Sequence, residues 1–380
     1  VRRGGGSYIG AGVLLAIGRH PPKMAQRIYL DHASTTPVIA PAVDALKRGL
    51  FEWANPNSPH AEGRRSRALL EDARETIKRT LNWPHDVIFT SGASEAVEIA
   101  AARAAVSGRA HSATEHAIIG HAMGTDSIVL SVDGNGLISE DGLDKVLSQG
   151  PALIAIQHVN NETGVIQPLD RLAAKIRDSG SLLLADCAQS ASKIPLPDAD
   201  FIAICAHKLG GPPGIGALLV RDLATLKPCG GGQEKGYRRG TQDMPGALAF
   251  AAALAAHPYD MDRFTALRRK LDMGAQAAGG VVIAEEAPRV PTIGAIALQG
   301  ATSAALLVQL DLAGIAVSAG SACSSGKAKP SHVLEAMNVP PEIACCFIRI
   351  SFGPETSEEE IDVFLAEFGR IAERARARAA

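Results

Sequence analysis

From residue 86 to residue 221 the chain repeats one pattern: a short apolar run, a polar or glycine-bearing turn, then a stretch with helical spacing. The runs are "DVIFT" (86–90), "SIVLSV" (127–132), "ALIAIQHV" (152–159), "SLLLAD" (181–186), "DFIAICA" (200–206) and "GALLVR" (216–221). Most have no polar face. A strand of that kind must be covered on both sides, and helical intervals supply the cover. "SRALLEDARETIKRTL" (66–81) has the matching periodicity, with charges on its outer face. The pattern predicts an α/β fold with a mostly parallel sheet.

After "AAHPYD" (255–260) the texture changes. A helical stretch precedes "PTIGAIALQG", "GIAVSAGSA" and "CFIRISFG", which alternate with helices such as "SEEEIDVFLAEFGRIAERARA". This reads as a smaller α+β C-terminal domain. The expected division is a large domain over 38–259 and a small one over 260–380, with residues 24–37 packing against the small one. Residues 1–23 contain "YIGAGVLLAIG", an apolar stretch too short to span a bilayer, and are expected to form a disordered extension.

A net charge of −2 argues against nucleic acid or an anionic membrane as the main partner, and 4% aromatic content argues against a base-stacking surface. The 6 cysteines form no C-x-x-C pair and no Cys/His cluster with zinc spacing, so no metal is expected and a reducing, cytoplasmic setting fits.

In open α/β sheets, ligands collect beyond the carboxyl ends of the strands. "SLLLAD" ends in Asp186, and "DFIAICA" runs into His207 and Lys208. "DVIFT" runs into "SGASEAVEIAA", a Gly/Ser turn opening a helix whose free N–H groups suit a phosphate. "GGGQEKGYRRGTQ" (230–242) is a second glycine-rich loop. Pyridoxal phosphate needs a lysine for a Schiff base, a carboxylate for its ring nitrogen and an anion-binding turn. Taken alone, the pair also fits a helix-capping Asp186 and a solvated Lys208. The two glycine-rich loops favour the cofactor.

Many further segments appear in one order: "YLDHASTTP", "NPNSPHAEGR", "FTSGASEA", "TEHAI", "HVNNETGVIQP", "ADCAQS", "AHKLGGPPGIGAL", "GSACSSG", "PSHVL" and "IRISFG". From Ile28 to about Phe364 the chain resembles the cysteine desulfurases of the NifS/IscS type, in the class V aminotransferase superfamily. The resemblance implies the type I fold of pyridoxal-phosphate enzymes. It also implies a homodimer that converts L-cysteine to L-alanine and passes sulfur to an acceptor protein for Fe–S clusters or thiolated products. Lys208 would carry the Schiff base, Asp186 would hold the ring nitrogen, Gln189 the ring hydroxyl, and His116 would stack on the ring. Ala93, Ser94, Cys205 and His207 match the phosphate site, and Thr241 matches a ligand given by the other subunit. Asn161, beside the cofactor, and Arg349 match the grip on the substrate carboxylate. Cys323 matches the nucleophile that takes up sulfur as a persulfide. A selenocysteine lyase, or another class V aminotransferase or lyase, is the alternative, and neither needs the loop thiol.

The chain departs from the family pattern at a few points. Cys205 stands where serine is usual, and a thiol is a weaker donor to phosphate. Ser94 replaces threonine and keeps the hydroxyl. Cys187 replaces an alanine, and Pro354 stands where arginine is common. Cys345 and Cys346 are expected to pack as small apolar groups.

Overall fold

The computed structural model describes residues 27–256, 258–320 and 331–379. The expected N-terminal extension and Cys323 lie outside them. Seven strands form the main sheet in the spatial order 86–90, 216–220, 201–205, 182–186, 152–157, 108–112, 128–130. Gly216–Val220 alone runs against its two neighbours, so the sheet is mostly parallel, as the apolar runs predict. All six residues of Ala152–Gln157 and all five of Phe201–Cys205 are buried, the signature of a sheet covered on both faces. The run predicted over 127–132 joins the main sheet only at Ile128–Leu130.

One strand of the main sheet was not expected. Gly108–Ser112, "GRAHS", pairs between Ile128–Leu130 and Ala152–Gln157. Its polar side chains are satisfied locally: Arg109 donates to the carbonyls of Ala101, Val106 and Gly108, and His111 meets the Ser127 hydroxyl at 2.8 Å.

A three-stranded antiparallel sheet joins Phe347–Ser351, Ile293–Ala297 and Val281–Val282, and Ile28–Tyr29 pairs with Ile315–Ala316. Among the described residues of "GIAVSAGSA", Ile315–Ala316 alone form a strand. The helix Met244–Ala256 packs on Ala40–Phe51 and Ala61–Thr80, whereas Met261–Ala277 packs on Glu358–Ala379. Cys346 is buried as expected. Cys345 is exposed, because its helix turn, Pro341–Ala344, ends at the surface. Among the described residues, no helix is long and apolar enough to cross a membrane.

The glycine-rich loop after the main sheet is anchored by charge. Glu234 and Lys235 occupy the left-handed region, with φ of 44° and 54°, where non-glycine residues are strained. The Glu234 carboxylate is buried and accepts from both Arg74 Nη atoms, at 2.9 and 3.0 Å, and from the Phe89 amide at 2.8 Å. Removing one member of a buried pair strands the other. Glu234→Ala is predicted to cost about 3–5 kcal/mol of stability. Urea unfolding monitored by circular dichroism checks this, and an unchanged midpoint would show that the pair does not hold the loop.

Candidate active site

The turn after Phe201–Cys205 is fixed by its backbone. The Thr36 amide donates to the His207 carbonyl at 2.8 Å. Two hydroxyls, Thr36 Oγ1 at 3.3 Å and Tyr259 at 3.2 Å, donate to the Lys208 carbonyl. With the main chain held from two sides, the Lys208 amine projects from a rigid base and makes no ion pair or hydrogen bond among the described residues. Asp186 closes the strand Leu182–Asp186, and its Oδ1 accepts the Ala188 amide at 2.9 Å.

Both residues line a cavity of about 590 Å³ beyond the carboxyl ends of the parallel strands. The same cavity brings together Ala93, Ser94, His116, Asn161, Gln189, Cys205, His207 and Arg349. Thr241 is exposed and is not among the lining residues.

The donors and acceptors present fit pyridoxal phosphate. At one end the helix Ala93–Arg103 starts from Gly92 with no side-chain cap, which leaves first-turn N–H groups for an anion. Nothing stands within 4 Å of where a Cβ would project from Gly92. Gly216 permits this turn to lie on the sheet, since a Cβ there would fall 2.5 Å from the Ile204 carbonyl oxygen and 2.6 Å from the Gly92 Cα. At the other end Gln189 donates to the Ala33 carbonyl at 2.8 Å, while its Oε1 is buried without a partner. An unmet buried acceptor costs about 1–3 kcal/mol, which a ring hydroxyl in the cavity would recover.

Burial sets the charge states. His116 accepts the Ile118 amide at Nδ1, 3.3 Å away, so any proton on the neutral ring sits on Nε2. Burial first and the Lys208 charge second hold its pKa below the usual histidine value. His207 is lowered for the same two reasons. Burial raises the Cys205 thiol, keeping it neutral beside the cradle.

Several site residues carried no recognised signal. Glu95 accepts the Ser91 amide at 2.5 Å and an Arg238 hydrogen at 2.9 Å, bracing the turn with a neutralised carboxylate. Glu115, which precedes His116 in the chain and accepts the Gln157 amide at 2.7 Å, is buried, and burial pushes its carboxyl pKa well up. Lys193 is buried 5.2 Å over the Tyr259 ring, its pKa lowered to about 7 by burial and then by the Lys208 charge. Asp31 pairs with Arg349 at 2.7 Å. Polar residues inside "YLDHASTTP" and "SASKIP" were the available hints.

The lowered pKa of His116 has a direct check. In the chain without cofactor, its ring is expected to titrate below about 6.5, the ordinary histidine value. Two-dimensional NMR of labelled imidazoles measures this, and a midpoint at or above that value would contradict the burial argument.

Comparison with known proteins identifies the family. The family model described as aminotransferase class-V matches residues 28–364. A cysteine desulfurase of Gluconacetobacter diazotrophicus is 36% identical, over 88% of this chain and 90% of its own length. The cysteine desulfurase IscS of Dictyoglomus turgidum is 33% identical, over 93% of this chain and 96% of its own. Among solved structures, a NifS-like protein from Rickettsia africae superposes with a TM-score of 0.81 at 27% identity, covering 92% of this chain and all (100%) of that one. The chain belongs to the aminotransferase class-V family and, within it, to the cysteine desulfurases of the NifS/IscS type.

Proposed function

We propose that the protein is a pyridoxal-phosphate-dependent cysteine desulfurase that moves sulfur from L-cysteine to Cys323 and then to an acceptor protein. The observation that carries this reading is the convergence of Lys208, Asp186, Gln189, His116, Asn161 and Arg349 on one cavity. Such a site pairs an amine, a carboxylate and an anion cradle with a guanidinium for a substrate carboxylate. We take the large domain to run over 38–259 and the small domain over 260–380, with 24–37 beside the latter. The different helix partners of Met244–Ala256 and Met261–Ala277 support that division.

Lys208 would bind the cofactor covalently, Asp186 would hold its ring nitrogen, and Gln189 would meet its ring hydroxyl. Ala93, Ser94 and His207 would hold its phosphate, with Cys205 behind them and Thr241 coming from the partner subunit of a homodimer. The bound cofactor supplies an electron sink for charge that develops at the substrate α-carbon. Asn161 and Arg349 orient the substrate by its carboxylate. Once the substrate's amine has displaced it from the cofactor, Lys208 would take the proton from Cα, its amine carried on a fixed backbone. The neutral His116 ring excludes water from one face and can donate from Nε2. The Cys323 thiolate then attacks the substrate sulfur. A sulfur–sulfur bond forms as the Cβ–S bond breaks, its electron pair passing to carbon; proton uptake at Cβ and return of a proton from Lys208 to Cα then give L-alanine. The persulfide on Cys323 would serve Fe–S cluster assembly, thio-cofactor synthesis or tRNA thiolation in the cytoplasm.

Alanine and sulfide release from L-cysteine with a reductant, for the wild type and Cys323→Ala, tests the reading. The wild type is expected to make both products. The variant is expected to lose more than about 100-fold of the rate while keeping bound cofactor absorbance. Equal rates would favour a lyase that eliminates sulfur directly.

A further inference from the structure

Arg349, the residue proposed to grip the substrate carboxylate, already has a carboxylate partner. Its side chain is buried in the strand Phe347–Ser351, and its Nη2 donates to Asp31 Oδ1 at 2.7 Å. Nη1 donates to the Asn161 carbonyl at 3.0 Å, and Nε is buried with no acceptor. A guanidinium has five N–H hydrogens. With those assignments, one hydrogen on each Nη remains for a ligand, enough for the two oxygens of a carboxylate. The geometry of the grip is therefore intact, but its charge is spent.

Asp31 is held beside Arg349 by its backbone. The Ser351 amide donates to the Leu30 carbonyl at 2.9 Å, and the Ala33 amide donates to the Ser351 hydroxyl at 2.9 Å. Asp31 itself bridges Ser351 in parallel register. The backbone that carries its carboxylate is thus tied to the strand that carries Arg349. Among the described residues no second cation stands within ion-pair distance of Asp31.

We propose that Asp31 is the resident counter-ion of Arg349, and that an α-amino acid entering the site shares the guanidinium with it. Asp31 acts through Arg349 as a positioning residue. Before a ligand arrives it compensates a buried cation that would otherwise be costly. Once a ligand arrives its fixed negative charge opposes the second carboxylate, so the site holds α-carboxylates weakly. L-alanine keeps the carboxylate of L-cysteine, so a weak grip also favours product release. This inference rests on the substrate reading given above.

The test uses the cofactor-loaded enzyme and two ligands without a thiol: L-alanine, and ethylamine, which lacks only the carboxylate. Binding is followed by the absorbance change of the bound cofactor. Asp31→Asn keeps the volume and an acceptor for Nη2 while removing the charge. Its Kd for L-alanine is expected to fall about three- to tenfold, with ethylamine unchanged. Asp31→Ser, smaller and also neutral, is expected to act in the same direction should the asparagine variant fold poorly. Unchanged or weaker L-alanine binding, or an equal shift for ethylamine, would overturn the proposal. If the wild type binds no L-alanine at all, the substrate reading fails and this inference falls with it.

Discussion

The stretch from Leu30 to Ile39 is hydrogen-bonded to both small sheets, to Arg349, to Gln189 and to the turn that carries Lys208. Leu30 donates to Ala316 at 2.9 Å and accepts from Ser351 at 2.9 Å, which ties it to both small sheets. Asp31 reaches Arg349, and the Ala33 carbonyl orients Gln189. Thr36 and Ile39 then bond to His207 and Gly210, at 2.8 and 2.9 Å, on either side of Lys208. Ten residues thereby set the spacing between the guanidinium and the amine. A substrate carboxylate and a reacting α-carbon need that spacing fixed, because misplacement of about 1 Å can cost 100-fold in rate.

Electrostatics follow from the depth at which this strap buries its neighbours. His32, against Tyr29 and near Lys193, has its pKa lowered to about 4, first by burial and then by the Lys193 charge. His116 and His207 are lowered by burial and then by the Lys208 charge, so all three rings are held toward the neutral form. Cations close to the cavity are thereby kept few. An environment of that kind leaves the helix N-terminus at Gly92 and Lys208 as the main positive features facing the cavity.

Much of this was legible in the sequence because it follows local rules. The strands at 152–157 and 201–205 read clearly, since residues covered on both faces leave continuous apolar runs. Lys208 and Asp186 could be placed because each directly follows such a run. Gly108–Ser112 could not, because Arg109 and His111 look solvent-facing until their partners within the fold are known. Asp31 and Arg349 stand 318 positions apart, and Glu234 and Arg74 stand 160 apart. Nothing in a single sequence marks such charge pairs. Cys345 was misjudged for a related reason: small thiols often pack inside, but here a helix turn ends at the surface.

The central claim is that the cavity's amine is Lys208 and that pyridoxal phosphate bonds to it. Loading the protein with pyridoxal phosphate, reducing with borohydride and mapping the modified peptide by mass spectrometry tests this directly. The predicted result is a stable pyridoxyl label on Lys208, abolished by Lys208→Ala. A label on Lys193, a buried amine whose pKa is lowered to about 7, or no label at all, would contradict the account.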